Sequence, residues 1–234
     1  MKQLAIISGG FSSEVIISRK SAVTIFKNID SQFYQPHIIE INNDGWFYIN
    51  EKEEKIEVDK NDFSVTIGTK KIKFDLCFIT IHGTPGEDGK LQGYFDAIGM
   101  KYINASVYAS SLSFNKWACN QFLQSFGISV AKSVFLRKND PVNPLVIQRR
   151  LGFPCFVKPN DAGSSFGVTK VKSEDQLMNA ITNAFDEGDE VIIEQAMEGP
   201  EVTCGVFKTK KGTIPLPITE IITDADFFDF EAKY

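Results

Sequence analysis

Histidine is almost missing from this chain: two among 234 residues. So few imidazoles exclude a histidine-rich metal centre. Cysteine is scarce too. Cys77, Cys119, Cys155 and Cys204 show no CxxC spacing and sit mostly inside apolar segments, which fits reduced core thiols better than a disulfide framework or a zinc set. There is no dense basic run and the formal charge is −5, so no nucleic-acid partner is expected, and an anionic ligand would need lysines placed locally against a repelling field. No apolar run reaches membrane-spanning length, so no membrane partner is expected. The apolar start "LAIIS" is too short for a signal peptide and meets Gly9-Gly10 at once. A soluble, cytoplasmic protein is the expectation.

What is present is apolar and aromatic. The hydrophobic fraction is 43% with 20 phenylalanines, enough for one large domain or two ordinary ones with ample core. "LAIIS", ending at two glycines, has the pattern of a buried parallel strand. Ser18 is placed to cap an amphipathic helix carrying Ala22, Ile25, Phe26 and Ile29. "HIIEI" and "NNDGWFYI" read as strands, and "EKEEKIEVDKND" as a solvated connection. "FDLCFITIHG" is a further buried strand, followed by a helix from about Asp88 to Ile98. Strands alternating with helices predict an α/β fold, with a doubly wound parallel sheet over residues 1–103. Beyond it, "ASVYASSLSFNKWACNQFLQSFG" reads as a connection into a helix stopping at Gly127. "FPCFVKP" and "GVTKV" pair across a small-residue loop, and "SEDQLMNAITNAFDEG" is a helix. "EVIIEQAM", "EVTCGVF" and "TIPLPITEI" are strands, the last two turning at Lys211-Gly212.

Several stretches carry candidate chemistry. In "VKPNDAGSSFGV" the lysine precedes the glycines and a strand follows, so this is no Walker loop, which would read GxxxxGK[ST] and open a helix. Gly-Ser-Ser amides and hydroxyls, with Ser164 and Ser165, can still converge on phosphate oxygens, and Lys158 would add a point charge. A Gly/Ser hairpin alone is most often only a turn. Lys158 follows an apolar strand, however, and an unpaired buried ammonium is costly, so it needs an anion. Lys116 opens a helix, where the dipole disfavours cations; that hints at a ligand's charge, against the plain reading of an exposed lysine. Glu194 ends an apolar strand and Glu201 starts the next, suited to an adenine hinge and a ribose carboxylate, or else Glu201 is merely solvated. Glu14, in "GGFSSE", could bind an ammonium or cap the helix after it; the stretch does not meet GxGxxG, so a dinucleotide is set aside. His82, in "HGTPGEDG", lies at a second strand end of the same kind.

In order and spacing, "SGGFSSE…SRKSA", "IHGTPGEDGKLQG", "ASSLSFNK", "FVKPNDAGSSFGV", "VIIEQAMEGPEVT" and "FFDFEAKY" resemble D-alanine–D-alanine ligase, of the ATP-grasp superfamily, from residue 4 to residue 234. The resemblance implies an N-terminal substrate domain (1–103), a central ATP-grasp subdomain (104–193) and the start of a C-terminal ATP-grasp subdomain (194–234). It implies ATP held between two sheets, with Lys116 and Lys158 on the phosphates, Ser165 in the covering loop, Glu194, Ala196 and Met197 at the adenine hinge and Glu201 on the ribose. Glu14 would orient the first D-alanine and link through Ser164 to Tyr234; His82 would lie beside that substrate, and Lys233 would reach the γ-phosphate from a closing loop. Tyrosine at position 234 accompanies D-alanine as second substrate, where histidine accompanies D-lactate. A homodimer is the family's usual assembly.

Two departures stand out. Ile16 occupies a position where the family commonly has an acidic residue. The family also continues for about another third of a chain past its lid tyrosine, and that part carries an arginine, the ligands for magnesium (or manganese) and the second D-alanine pocket. The expectation is therefore a shortened chain, incomplete at its C-terminus and inactive alone. The alternative function is a nucleotide- or D-alanine-binding fragment without turnover.

Overall fold

The computed structural model describes residues 1–223. The chain divides into two units: Met1–Ile128 together with Asn160–Gly163, and Ser129–Pro159 together with the chain from Ser164 onward.

The first unit opens with β1 (Lys2–Gly9), α1 (Val15–Asn28), β2 (Tyr34–Asn42) and β3 (Gly45–Ile49). It continues through β4 (Lys55–Asp59), β5 (Ser64–Ile67), β6 (Lys70–Lys73) and β7 (Leu76–Ile79). α2 (Lys90–Ala97), β8 (Tyr102–Ile103), α3 (Val107–Phe114) and α4 (Lys116–Ser125) complete it. Its sheet has the order β6-β5-β4-β3-β2-β1-β7-β8. The four strands β2, β1, β7 and β8 run parallel; β1, β2 and β7 fall on strands expected from the sequence, and the two-residue β8 is not among them. Alternation along β1 covers both sheet faces. Leu4 and Ile6 pack with Ala22 of α1, whereas Ala5 and Ile7 join the cluster holding Leu91 and Phe95 of α2.

β3 to β6 extend the parallel core as an antiparallel meander. Here the expectation of a solvated connection over "EKEEKIEVDKND" is corrected. Its middle, Lys55–Asp59, is β4, in which Val58 is 2% exposed and Ile56 packs on the core between charged neighbours. Only every second residue must be apolar in a strand with one buried face, so a charge count hides it. A second correction concerns Ser18. α1 begins three residues earlier, and Ser18 lies inside it, fully buried, its hydroxyl accepting the Gly9 N–H at 3.0 Å. The presumed connection after residue 104 also contains a helix of its own, α3, capped by Ser106.

The second unit contains β9 (Ser133–Arg137), α5 (Pro144–Leu151), β10 (Cys155–Pro159), β11 (Thr169–Val171), α6 (Glu174–Phe185) and β12 (Glu190–Gln195). The strands form one antiparallel sheet in the order β11-β10-β12-β9. Val157, Val191 and Ile193 point from it to Ile147 and Leu151 of α5 and Leu177, Ala180 and Ile181 of α6. β10 and β11 pair across the serine loop, as predicted. The remaining strands, β13 (Glu201–Thr209) and β14 (Gly212–Ile221), pair as a hairpin turning at Lys210-Lys211, one residue before the expected place.

Candidate functional site

In the first unit the loops after β1 and β7 are tied together. Ser12 Oγ donates to His82 O at 2.8 Å, and the Phe11 N–H donates to Thr84 O at 3.0 Å. Glu87 accepts the Gly83 N–H at 2.7 Å. Gly10 and Gly83 take φ of 111° and 72°, a region open chiefly to glycine, which lets the two turns approach. Glu14 sits between them, 3% exposed, immediately before α1. It makes no side-chain cap to that helix, which removes the capping reading. His82 is half-buried beside it. The third wall comes from the segment Asn160–Gly163: a Cβ at Gly163 would stand 2.5 Å from Glu14 Oε2. Backbone therefore lies against the carboxylate, with room for nothing larger than glycine.

Lys116 opens α4, as expected, and its Nζ donates to Ala162 O at 2.6 Å. The loop that follows Lys158 in sequence thus holds both Glu14 and Lys116 in the first unit.

In the second unit the face of the sheet away from α5 and α6 carries Phe156, Lys158 and Glu194. Lys158 Nζ donates to Glu194 Oε2 at 2.7 Å and lies 5.4 Å from the Phe156 ring centroid, with Lys170 on the same ring at 5.9 Å. This corrects one premise of the sequence reading. Lys158 is not an unpaired ammonium waiting for an anion; the protein supplies Glu194. Antiparallel register explains the pair, since Glu194 stands opposite Phe156 and so diagonal to Lys158 on one face. Their side chains are 26% and 12% exposed, open enough on the lysine side to be reached.

Ser164 and Ser165 have φ of 45° and 62°. Two successive L-residues in the left-handed region mark a loop held in a costly shape, as functional loops often are. Glu194 and Gln195 end β12; the Gln195 N–H donates to Lys132 O and that of Ala196 to Pro154 O. Met197 is 68% exposed just beyond, and Glu201 is exposed at the start of β13. Lys233 and Tyr234 lie outside the described residues. Sequence reasoning gave Gly163 only as part of the phosphate loop and did not single out Glu87 or Asn160. Their partners lie 149, 4 and 43 residues away, and only Glu87 had a local signal.

The comparisons with known proteins bear on this arrangement directly. The model for the D-ala D-ala ligase N-terminus matches residues 3–105, and that for the D-ala D-ala ligase C-terminus matches residues 122–234. A D-alanine--D-alanine ligase of Azobacteroides pseudotrichonymphae is 49% identical over all of this chain, which covers 72% of that relative. The chain belongs to the D-alanine–D-alanine ligase family.

A ligase of the same name from Parabacteroides distasonis is 48% identical, with 71% of it covered. Among solved structures, D-alanyl-alanine synthetase A from Vibrio cholerae superposes with a TM-score of 0.86 at 28% identity, covering all of this chain and 71% of that one. The VanG D-Ala:D-Ser ligase from Enterococcus faecalis gives 0.83 at 32% identity, covering 73% of its chain. The D-alanine–D-alanine ligase of Bacillus anthracis complexed with ATP gives 0.74 at 27%, covering 97% of this chain and 68% of that one. Among the described residues no group of three or more His, Cys, Asp or Glu could hold a metal ion, so they do not fit the magnesium or manganese that the resemblance implies. Among the described residues no helix is long and apolar enough to cross a membrane.

Proposed function

We propose that this chain binds ATP and D-alanine in the ligation of two D-alanines into D-alanyl-D-alanine, a precursor of peptidoglycan. The observation that carries the reading is the 49% identity to a D-alanine--D-alanine ligase along the full length of the chain. The geometry supports it. A carboxylate walled in by two strand-end loops suits the ammonium of an amino acid, and a sheet face bearing Lys158, Glu194 and Phe156 suits a nucleotide.

The chemistry is a condensation made possible by a better leaving group. A carboxylate oxygen of the first D-alanine attacks the γ-phosphorus of ATP; the bond to the β,γ-bridging oxygen breaks, leaving ADP and an acyl phosphate. The amine of the second D-alanine attacks the acyl carbon, the C–O bond to phosphate breaks, and inorganic phosphate leaves as the amine gives up a proton. Positioning and charge neutralisation carry most of such a reaction, and water must be kept from the acyl phosphate.

Each residue takes a place in this reading. Glu14 orients the ammonium of the first D-alanine and links through Ser164 to Tyr234, with His82 beside the substrate. Lys116 and Lys158 neutralise the phosphates, Ser165 covers them, and Lys233 reaches the γ-phosphate. Glu194 and the backbone of Ala196 and Met197 meet the adenine; since the Ala196 N–H is already given to Pro154 O, the donor there is the Met197 amide. Glu201 holds the ribose hydroxyls. The protein works in the cytoplasm as a homodimer.

Release of ADP and phosphate dependent on D-alanine tests the reading, measured on these 234 residues and on the natural reading frame that contains them. A panel of D-lactate, D-serine and L-alanine as second substrate accompanies it. Preference for any of these over D-alanine overturns the substrate choice. ATP binding without product in both forms supports a binding role instead.

A further inference from the structure

An α-helix begins with four backbone N–H groups that have no partner in the helix, and its dipole makes that end a ready anion site. At α4, which bears Lys116, this end is closed. Asn115 gives its own N–H to Ser111 O at 3.4 Å and accepts from Ala118 N at 2.8 Å through its side chain. The other two amides, of Lys116 and Trp117, are both taken by Asn160. Asn160 O accepts the Lys116 N–H at 3.0 Å, and Asn160 Oδ1 accepts the Trp117 N–H at 2.9 Å. Asn160 is fully buried, and two residues after it Ala162 O takes the Lys116 ammonium. The segment 160–162 therefore grips Lys116 at its backbone and at its tip.

No α4 amide is left to meet a phosphate, so this helix reaches an anion only through the Lys116 side chain. Where that ammonium stands is decided by Asn160, which buries its amide group to serve the helix and has no surface with which to touch a ligand. We propose that Asn160 is a positioning residue for nucleotide binding, acting through Lys116 by fixing the first turn of α4. This rests on the reading of Lys116 as a phosphate contact.

Asn160 also follows Lys158 by two positions in the chain. In the proposed reading the same short stretch of chain thus carries one phosphate lysine and anchors the other.

A double-mutant cycle on the affinity for a non-hydrolysable ATP analogue, read by calorimetry, tests the proposal. Asn160→Ala should weaken binding about fivefold, the affinity equivalent of one lost helix cap. In the Lys116→Ala background the same change should have no further effect. Asn160→Asp keeps the accepting oxygen; whatever its added charge does to both backgrounds alike, the ratio of affinities between the Lys116 and Lys116→Ala proteins should stay native. Asn160→Ser, too short to reach the Trp117 amide, stands in should Asn160→Ala fail to fold. Equal weakening in both backgrounds would overturn the proposal, because Asn160 would then act on the nucleotide without Lys116. Binding that depends on Lys116 and ignores Asn160 overturns it alone, and binding indifferent to Lys116 overturns the nucleotide reading beneath it.

Discussion

Lys158 has a partner in the protein and, in the proposed reading, a second one in the nucleotide. The Glu194 carboxylate removes the cost of an isolated ammonium on a sheet face, so the fold already needs this pair before any ligand arrives. Lys158→Ala should then do two things. It should remove the cation paired with a 12%-exposed carboxylate, lowering stability by about 1.5–3 kcal/mol, the range for a hydrogen bond to a charged group. It should also abolish nucleotide binding. Thermal denaturation beside calorimetry separates the two: Lys158→Met with Glu194→Gln should regain most of the stability and none of the affinity. Gly163 makes the complementary case. Its Cβ would meet Glu14 Oε2, so Gly163→Ala should push the carboxylate aside and weaken D-alanine binding more than tenfold, with a melting point within a few degrees of native. A variant that binds D-alanine normally refutes the crowding. The side chains at these sites were legible because lysine and glutamate announce charge in an apolar run. What each one touches was not, since Glu194 and Gly163 find their partners 36 and 149 residues away.

Among the elements, long apolar runs declared themselves and lightly patterned ones did not. β1 and β7 were evident from unbroken hydrophobic sequence, whereas β4 and β6 hid among lysines and glutamates because their outer faces are solvated. α1 was placed from Ser18 because serine is a favoured cap, yet tertiary contact took that serine for another task. Its hydroxyl satisfies the Gly9 amide at the point where β1 turns into the Glu14 loop, while Thr80 Oγ1 donates to Ile7 O alongside. Ser18→Ala should therefore cost about 1–3 kcal/mol, as expected of a buried donor left without an acceptor, where loss of an exposed cap would cost about 1 kcal/mol or less. Amide exchange can tell these apart: the Gly9 N–H should lose protection in Ser18→Ala while the first-turn amides of α1 keep theirs. The opposite pattern restores Ser18 as a cap.

At the scale of the molecule, each unit has its own core, and composition makes them separately observable. Both histidines, His37 and His82, and both tryptophans, Trp46 and Trp117, fall in the first unit. His37 is 6% exposed on β2, its Nε2 2.7 Å from Gln3 Oε1, with the rings of Tyr48 and Phe74 edge-on at 5.6 Å. Burial, and then the nearby Lys70 ammonium, pull its pKa below the ordinary 6.5. A histidine of this kind stays neutral in the fold and accepts a proton more readily once unfolded. As pH falls through 6.5 the unfolded chain takes up the proton first, and the first unit loses stability until the folded histidine titrates as well. The two acids of this unit that are held below their ordinary range do not mask this window. Asp62 is held at about 2 by the Ser64 hydroxyl and Lys71, and Glu40 is lowered by Arg19 and Asn42 against its desolvation. Melting followed by tryptophan fluorescence should therefore drop by several degrees between pH 7 and pH 5. His37→Phe, which keeps the aromatic packing and cannot titrate, should flatten that dependence. If the variant keeps the full pH slope, the acid sensitivity belongs to other groups and His37 takes up its proton equally readily in the folded and unfolded chain.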